Sequence, residues 1–367
     1  MNSLLRYRHG GSAGLDLDRF NLPERPLLDF SVNLNSLGIP GIVREKWKGL
    51  LDTLDIYPSV DGDGIVCYYR KKFGIPDQNI LAGNGSTEMI YLVPRALRLK
   101  RVLVITPSYH DYERASILAG AEVARLPLTA EDGFALPGAD QLAEAVRDCD
   151  ALWIGRPNNP TGTLMHREHI LGLARRFPDQ LFIVDESFIQ FTENWAEESL
   201  LTEQMRPNIL VIHSLTKFYA LPGLRMGGLI GDRDLVSRLR QVKEPWSVNG
   251  IADKIAPLLL ECTDYEDRTR SLTSKERRRI YQHLDTMDEI TQCPSCTNFI
   301  LLQWNRTRDL DDLMRHLLAN GAYVRDCRNF PGLERNFFRI GLKAPYENDR
   351  LISLLASPSA GLPEKNA

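Results

Sequence analysis

Lys217 lies in the stretch HSLTKFYALPGLRMG (residues 213–227), with Ser214 and Thr216 just before it and Arg225 eight positions on. The preceding run, NILVI, is apolar and β-branched, which reads as a buried strand. A lysine amine at the end of such a strand can form a Schiff base with an aldehyde. Three more polar clusters interrupt apolar runs: GNGSTE (83–88), RPNNPTG (156–162) and DES (185–187). Asp185 closes the run LFIVDES and offers a carboxylate to a protonated ring nitrogen. Ser86 and Thr87 open the pattern STEMIYLVPRAL, so their hydroxyls and backbone N–H groups stand at a helix N-terminus, where phosphate binds. Ser214 and Arg225 would close around the same phosphate.

An aldehyde, a ring nitrogen and a phosphate occur together on pyridoxal 5′-phosphate, and the sequence supplies a partner for each. Taken singly, each residue has a plainer reading: Asp185 as a cap, Arg225 in a surface ion pair, Ser-Thr-Glu as an ordinary helix start. The order Ser-Thr, Asn-Pro, Asp, Ser-x-x-Lys, Arg at successive strand ends is harder to assign to structure alone.

These clusters need a sheet to carry them. RVLVIT (101–106), ALWIG (151–155), LFIVDES (181–187), ILVIHS (209–214) and GGLIG (227–231) read as strands, with helical patterns such as YERASILAG and REHILGLARRF between them. Near-continuous apolar strands alternating with helices predict an α/β domain whose largely parallel sheet is covered on both faces. Ligands bind at the carboxyl ends of such strands. We expect a large domain over residues 46–245. After KEPWSVN the texture changes to a long charged helical region over about 251–290, then NFILLQW and FFRIGL around the helix DLDDLMRHLLANG. Residues 246–356, with 1–45, are expected to form a smaller α+β domain, and the polar tail 357–367 to be disordered.

The bulk numbers exclude other classes. The chain has 367 residues, 43% hydrophobic and 25% charged, with a net charge of −3 and no long basic block. Nucleic acid and membrane are therefore not expected partners. No signal-peptide core or spanning run is present, and six scattered cysteines fit a reduced cytoplasm. The Cys293–Cys296 pair of CPSC is half a zinc site at most and reads as a turn before a strand. His166 and His169 of HREH fall on the outer part of a helix, and no metal is expected.

PNNPTG, DES and SLTKFYALPGLRMG together resemble the fold-type I pyridoxal-phosphate enzymes of the class I/II aminotransferase superfamily, over about His9 to Lys343. The resemblance implies a large cofactor-binding domain, a small domain closing over substrate, and a homodimer with two shared sites. It further implies that Asn159 bonds the cofactor's phenolic oxygen, Tyr109 stacks on its ring, and Tyr57 reaches the neighbouring subunit's cofactor phosphate. Arg339 would grip the substrate α-carboxylate, a task that suits a bidentate guanidinium.

Within the superfamily, HGG (9–11), LLDFSVNLNSLG (27–38), GNGSTE, PWSVN (245–249) and RNFPGL (328–333) look like the L-threonine-O-3-phosphate decarboxylases of cobamide synthesis. That resemblance implies a small phosphorylated amino acid as substrate, O-phospho-L-threonine or also O-phosphoserine, with His9, Gly10, Asn33 and Arg325 around it beside Asn159 and Arg339. The histidinol-phosphate aminotransferases share most of the motifs and are the competing subfamily; a non-catalytic protein of this fold is a third reading, opposed by Lys217 and Asp185. The aminotransferases usually carry tyrosine where Phe188 stands in DESF, and the sequence departs from its relatives at two positions, Ser187 for alanine and Ser86 for glutamate. Phenylalanine cannot donate a hydrogen bond to the cofactor, so Asn159 would be the main partner of the phenolic oxygen.

Overall fold

The computed structural model describes residues 7–305 and 309–356; the tail 357–367 lies outside the described residues. Its centre is a seven-stranded sheet in the order Ile80–Asn84, Met226–Gly231, Ile209–Ser214, Leu181–Asp185, Ala151–Gly155, Arg101–Thr106, Glu122–Pro127. Met226–Gly231 runs antiparallel to both neighbours, and every other pairing between adjacent strands is parallel. Leu181–Asp185, Ile209–Ser214 and Met226–Gly231 are buried at every residue, as strands covered on both faces must be.

Two of these strands are additional to the five read from the sequence. Glu122–Pro127 pairs only with Arg101–Thr106 and is half exposed, so its charges suit an edge and hide it from an apolar pattern. Ile80–Asn84 is short and ends in the glycine-rich turn that begins the helix Gly85–Leu97.

The second unit is an antiparallel sheet in the order Arg325–Asp326, Phe337–Gly341, Phe299–Trp304, Ile290–Gln292. Helices Thr263–Leu284, Leu310–Ala319 and Pro345–Ala356 share its core with Leu17, Phe20 and Phe30, so the start of the chain packs here. A short parallel pairing of Leu28–Asp29 with Ala322–Tyr323 ties the two together. The charged stretch after residue 250 is not one helix. It divides into Gly250–Ile255, a 3-10 segment Ala256–Glu261 holding Pro257, and Thr263–Leu284. Proline lacks the N–H that a continuous helix would use. Val248, Ala252, Ile255 and Leu259 bury with Val43 and Leu50 against the large sheet's core.

Candidate active site

Five loops at the carboxyl ends of the parallel strands meet the second unit around one cavity of about 240 Å³. Asp185 is the last residue of its strand, and Lys217 lies in the one-turn helix Leu215–Phe218 that follows Ile209–Ser214. Ser86 and Thr87 form the first turn of Gly85–Leu97; Tyr109 immediately precedes the helix His110–Leu118; Asn159 follows Ala151–Gly155. From the chain's start come His9, Gly10 and Asn33, and from the small sheet Arg325 and Arg339.

The Lys217 amine is pushed down to about 8, first by burial and then by the cations Arg225 and Arg339, with Asp185 opposing. A sizeable fraction of free amine near neutrality suits a nucleophile for an aldehyde. Asp185 is buried, and burial raises its pKa. Donors oppose that shift: the Ser187 N–H reaches Oδ1 at 2.9 Å and the Tyr112 hydroxyl reaches Oδ2 at 2.8 Å. Tyr112 is itself held by stacking on Trp153, with ring centroids 4.9 Å apart and ring planes nearly parallel.

At the opposite end Arg225 donates to the Thr87 hydroxyl at 3.4 Å. Gly85 is required there: its φ is +77°, and a Cβ would stand 2.5 Å from the Arg225 Nη2. The guanidinium, two hydroxyls and a helix N-terminus make an anion site.

Arg325 and Arg339 are both buried, and among the described residues neither has a carboxylate within ion-pair distance. Arg339 donates to the Asn159 Oδ1 and to the Ser31 carbonyl at 2.8 Å, while its Nε has no partner. Burial pushes Arg339 down to about 10, with Arg325 adding to the shift, and burial lowers Arg325 too. His9 is partly exposed, 3.9 Å from the Asp111 carboxylate; burial holds its pKa below the ordinary value, and Arg325 adds to this while Asp111 opposes. A Cβ on Gly10 would stand 2.3 Å from the Ser31 carbonyl, so this backbone can approach only as glycine.

Not every residue read from the sequence reaches the cavity. Ser214 is buried as the cap of the Lys217 helix, bonding Thr216 at 2.8 Å, and Thr216 lines the wall instead. Tyr57 is 84% exposed and stands against Trp246, away from this chain's own cavity. Conversely Ser31, His110, Tyr112, Ser187 and Phe330 line the cavity and were not assigned from sequence. Tyr112 was findable, being three residues after Tyr109 and so on the same helical face. Phe188 packs edge-on against Phe299 at 5.1 Å and offers no donor. Cys296 donates its thiol to the Gly162 carbonyl at 3.3 Å, so the CPSC turn packs on the Asn159 loop.

Pyridoxal 5′-phosphate fits these residues. Asn33 Oδ1 and Arg339 Nε are buried without partners on the cavity wall, as polar atoms awaiting a ligand would be. The donor set matches the cofactor's aldehyde, ring nitrogen and phosphate.

This sheet, with a lysine after one strand and an aspartate ending the next, defines a pyridoxal-phosphate-dependent enzyme of fold-type I. The chain belongs to the aminotransferase class I and II family, whose model matches residues 26–355. It is similar to the threonine-phosphate decarboxylase of Salmonella typhimurium, 34% identical over 98% of this chain and 99% of that one. Among solved structures it is similar to the histidinol-phosphate aminotransferase from Clostridium acetobutylicum, with TM-score 0.85 and 28% identity over 92% of this chain and 100% of that one. It is also similar to the L-threonine-O-3-phosphate decarboxylase from Porphyromonas gingivalis, with TM-score 0.77 and 27% identity over 89% of this chain and 98% of that one.

Proposed function

We propose that this chain is a pyridoxal-phosphate-dependent carboxy-lyase that converts O-phospho-L-threonine to CO₂ and 1-amino-2-propanol O-2-phosphate, in cobamide synthesis. The observation that carries this reading is the pair of buried arginines, Arg325 and Arg339, with no acidic partner within ion-pair distance among the described residues. Burying a guanidinium unpaired is costly, so the site calls for anions from its ligand. A phospho-amino acid brings a carboxylate and a phosphate on one small frame. Histidinol phosphate brings a phosphate alone, whereas the 2-oxoglutarate of a transamination brings two carboxylates, so the pair calls for a dianionic ligand and the choice of reaction leans on the relatives. The name borne by the Salmonella relative points to the decarboxylase.

When bound, the cofactor would supply an aldehyde for the substrate amine and a protonated ring as a sink for the electron pair left on Cα by loss of CO₂. Lys217 Nζ would hold that aldehyde and, as a free amine beside it, would hand a proton to Cα. Asp185 keeps the ring nitrogen protonated, with Tyr112 and Ser187 holding its carboxylate ionised. Ser86, Thr87 and Arg225 bind the cofactor phosphate. Arg325, His9 and the Gly10 backbone take the substrate phosphate, with Asn33 beside them, and Arg339 takes the carboxylate. Two fixed anions leave little rotation about Cα–N, and that constraint selects the bond that breaks.

Two copies complete the reading. Leu51, Leu54, Ile56, Tyr57 and Trp246 are exposed on neighbouring segments, an apolar patch suited to a second copy of the chain. Tyr57 would then serve the partner's cofactor phosphate. No helix among the described residues is long and apolar enough to cross a membrane, and we assign the enzyme to the cytoplasm.

Release of CO₂ from O-phospho-L-threonine, O-phospho-L-serine and L-threonine by the cofactor-loaded enzyme tests the substrate. The phosphoserine difference is one methyl, worth about 1–3 kcal/mol in a pocket, so it should react more slowly rather than not at all. Equal rates on L-threonine and its phosphate would defeat the reading.

A further inference from the structure

Arg325 is held in a way that fixes which of its donors face the cavity. A guanidinium has five N–H groups and no acceptor. Its Nη2 gives both protons away, to the Arg8 carbonyl and to Asn329 Oδ1 at 3.0 Å, and Nη1 gives one to the Asp326 carbonyl. Two donors, Nε–H and one Nη1–H, are left for a ligand.

Asn329 is fixed in turn. Because Arg325 only donates, the Asn329 oxygen must face it, which turns the Asn329 amide nitrogen toward His110 Nε2 at 3.2 Å and the Arg8 carbonyl at 3.4 Å. The reverse placement would set an NH₂ against the guanidinium. His110 Nε2 must therefore be an acceptor, with the ring proton on Nδ1. The imidazole is buried and lies flat on Phe330, ring centroids 3.9 Å apart, and the Arg325 guanidinium carbon lies 5.3 Å from the centroid of that same ring. The polarity of each hydrogen bond thus determines the next, from Arg325 through Asn329 to His110.

We propose that Asn329 and His110 are positioning residues that orient Arg325 for the substrate phosphate. This rests on the assignment of Arg325 to that phosphate. His110 acts here as an acceptor rather than as a ligand contact, so any side chain that accepts at the same place should substitute for it.

The test measures kcat and KM for O-phospho-L-threonine, and the inhibition constant of inorganic phosphate, in the cofactor-loaded wild type, Asn329→Ala, His110→Leu and His110→Gln. Asn329→Ala loses a hydrogen bond to a charged group and should raise KM and the phosphate inhibition constant by about 10-fold, while His110→Leu loses a neutral bond one step further away and should raise both by about 3-fold to 10-fold, with kcat moving by about 2-fold or less in each. Glutamine retains an acceptor, so His110→Gln should stay much nearer to wild type. Equal effects of leucine and glutamine, or a lowered kcat with KM and phosphate inhibition unmoved, overturn the proposal. A wild type insensitive to phosphate that uses L-threonine as readily as its phosphate removes the underlying assignment of Arg325, and the proposal falls with it. A phosphate-dependent wild type with an unchanged Asn329→Ala overturns the positioning role alone.

Discussion

Arg325 and Arg339 are register partners in the antiparallel pairing of Arg325–Asp326 with Phe337–Gly341, so their side chains leave the same face of the small sheet. Like charges directly opposite one another destabilise a sheet, and among the described residues no carboxylate stands within ion-pair distance of either arginine. Burial is the first cause lowering the pKa of each, and Arg325 adds to the shift of Arg339. A fold that keeps such a pair at its cavity gains from it when the ligand carries anions.

Arg325→Ala should therefore lower kcat/KM for O-phospho-L-threonine far more than for L-threonine. Truncating one partner of a buried charge-assisted contact costs about 2–5 kcal/mol, or roughly 30-fold or more. Cofactor absorbance should persist, because Arg225 binds the cofactor phosphate separately. Equal losses on both amino acids would remove Arg325 from the phosphate.

Lys217 gives a prediction in the cofactor-free protein. Its folded pKa of about 8 lies below the ordinary 10.5, so the folded state binds fewer protons than the unfolded chain between those values. Stability contributed by this site is lowest below pH 8 and rises as pH increases from there toward 10.5. Lys217→Met should be more stable than wild type at pH 7, on the order of 1–2 kcal/mol after allowing for solvent screening. Thermal melts should show that advantage shrinking toward pH 10; an advantage constant across pH would contradict it. In the loaded enzyme, borohydride reduction and peptide mapping should place the pyridoxyl group on Lys217 alone.

Tyr112→Phe removes a donor from the Asp185 carboxylate, whose pKa should rise further. A hydrogen bond to a charged group is worth about 1.5–3 kcal/mol, so cofactor affinity should fall about 10-fold or more. The ¹⁵N shift of ring-labelled cofactor should move toward the unprotonated form. An unchanged affinity and shift would show that Asp185 does not depend on Tyr112.

Tyr57 tests the shared site. A heterodimer of Tyr57→Ala and Lys217→Ala subunits should contain one intact site, so mixing two inactive proteins should restore activity. A monomer in solution with no restoration would contradict the exposed patch around Leu54 and Tyr57 as an interface.

The parts of this site legible in the sequence are those where a strand stops. Asp185 and Lys217 each follow an uninterrupted apolar run, and that junction is visible in one dimension. Tyr112, His110 and Phe330 carry no such mark. Their roles come from ring stacking and side-chain bonds between segments far apart in sequence, over two hundred residues in the His110–Asn329 contact and 73 in the Tyr112–Asp185 bond. Ser214 shows the opposite limit: adjacent to the right motif, it caps a helix while its neighbour Thr216 faces the cavity. The edge strand Glu122–Pro127 was hidden because an edge needs charges, which erase the periodicity that reveals buried strands. The fold class was legible because its inner strands are apolar at nearly every position.

The central claim is that this enzyme removes the carboxylate rather than the amine. The same residues could serve either outcome, so the products decide. Cofactor-loaded protein should be incubated in parallel with carboxyl-labelled O-phospho-L-threonine and with histidinol phosphate plus 2-oxoglutarate, scoring labelled CO₂ against glutamate. The account predicts CO₂ and 1-amino-2-propanol O-2-phosphate in one-to-one yield from the first mixture, with no glutamate above background from the second. Glutamate from histidinol phosphate, with no labelled CO₂ from O-phospho-L-threonine, would contradict it.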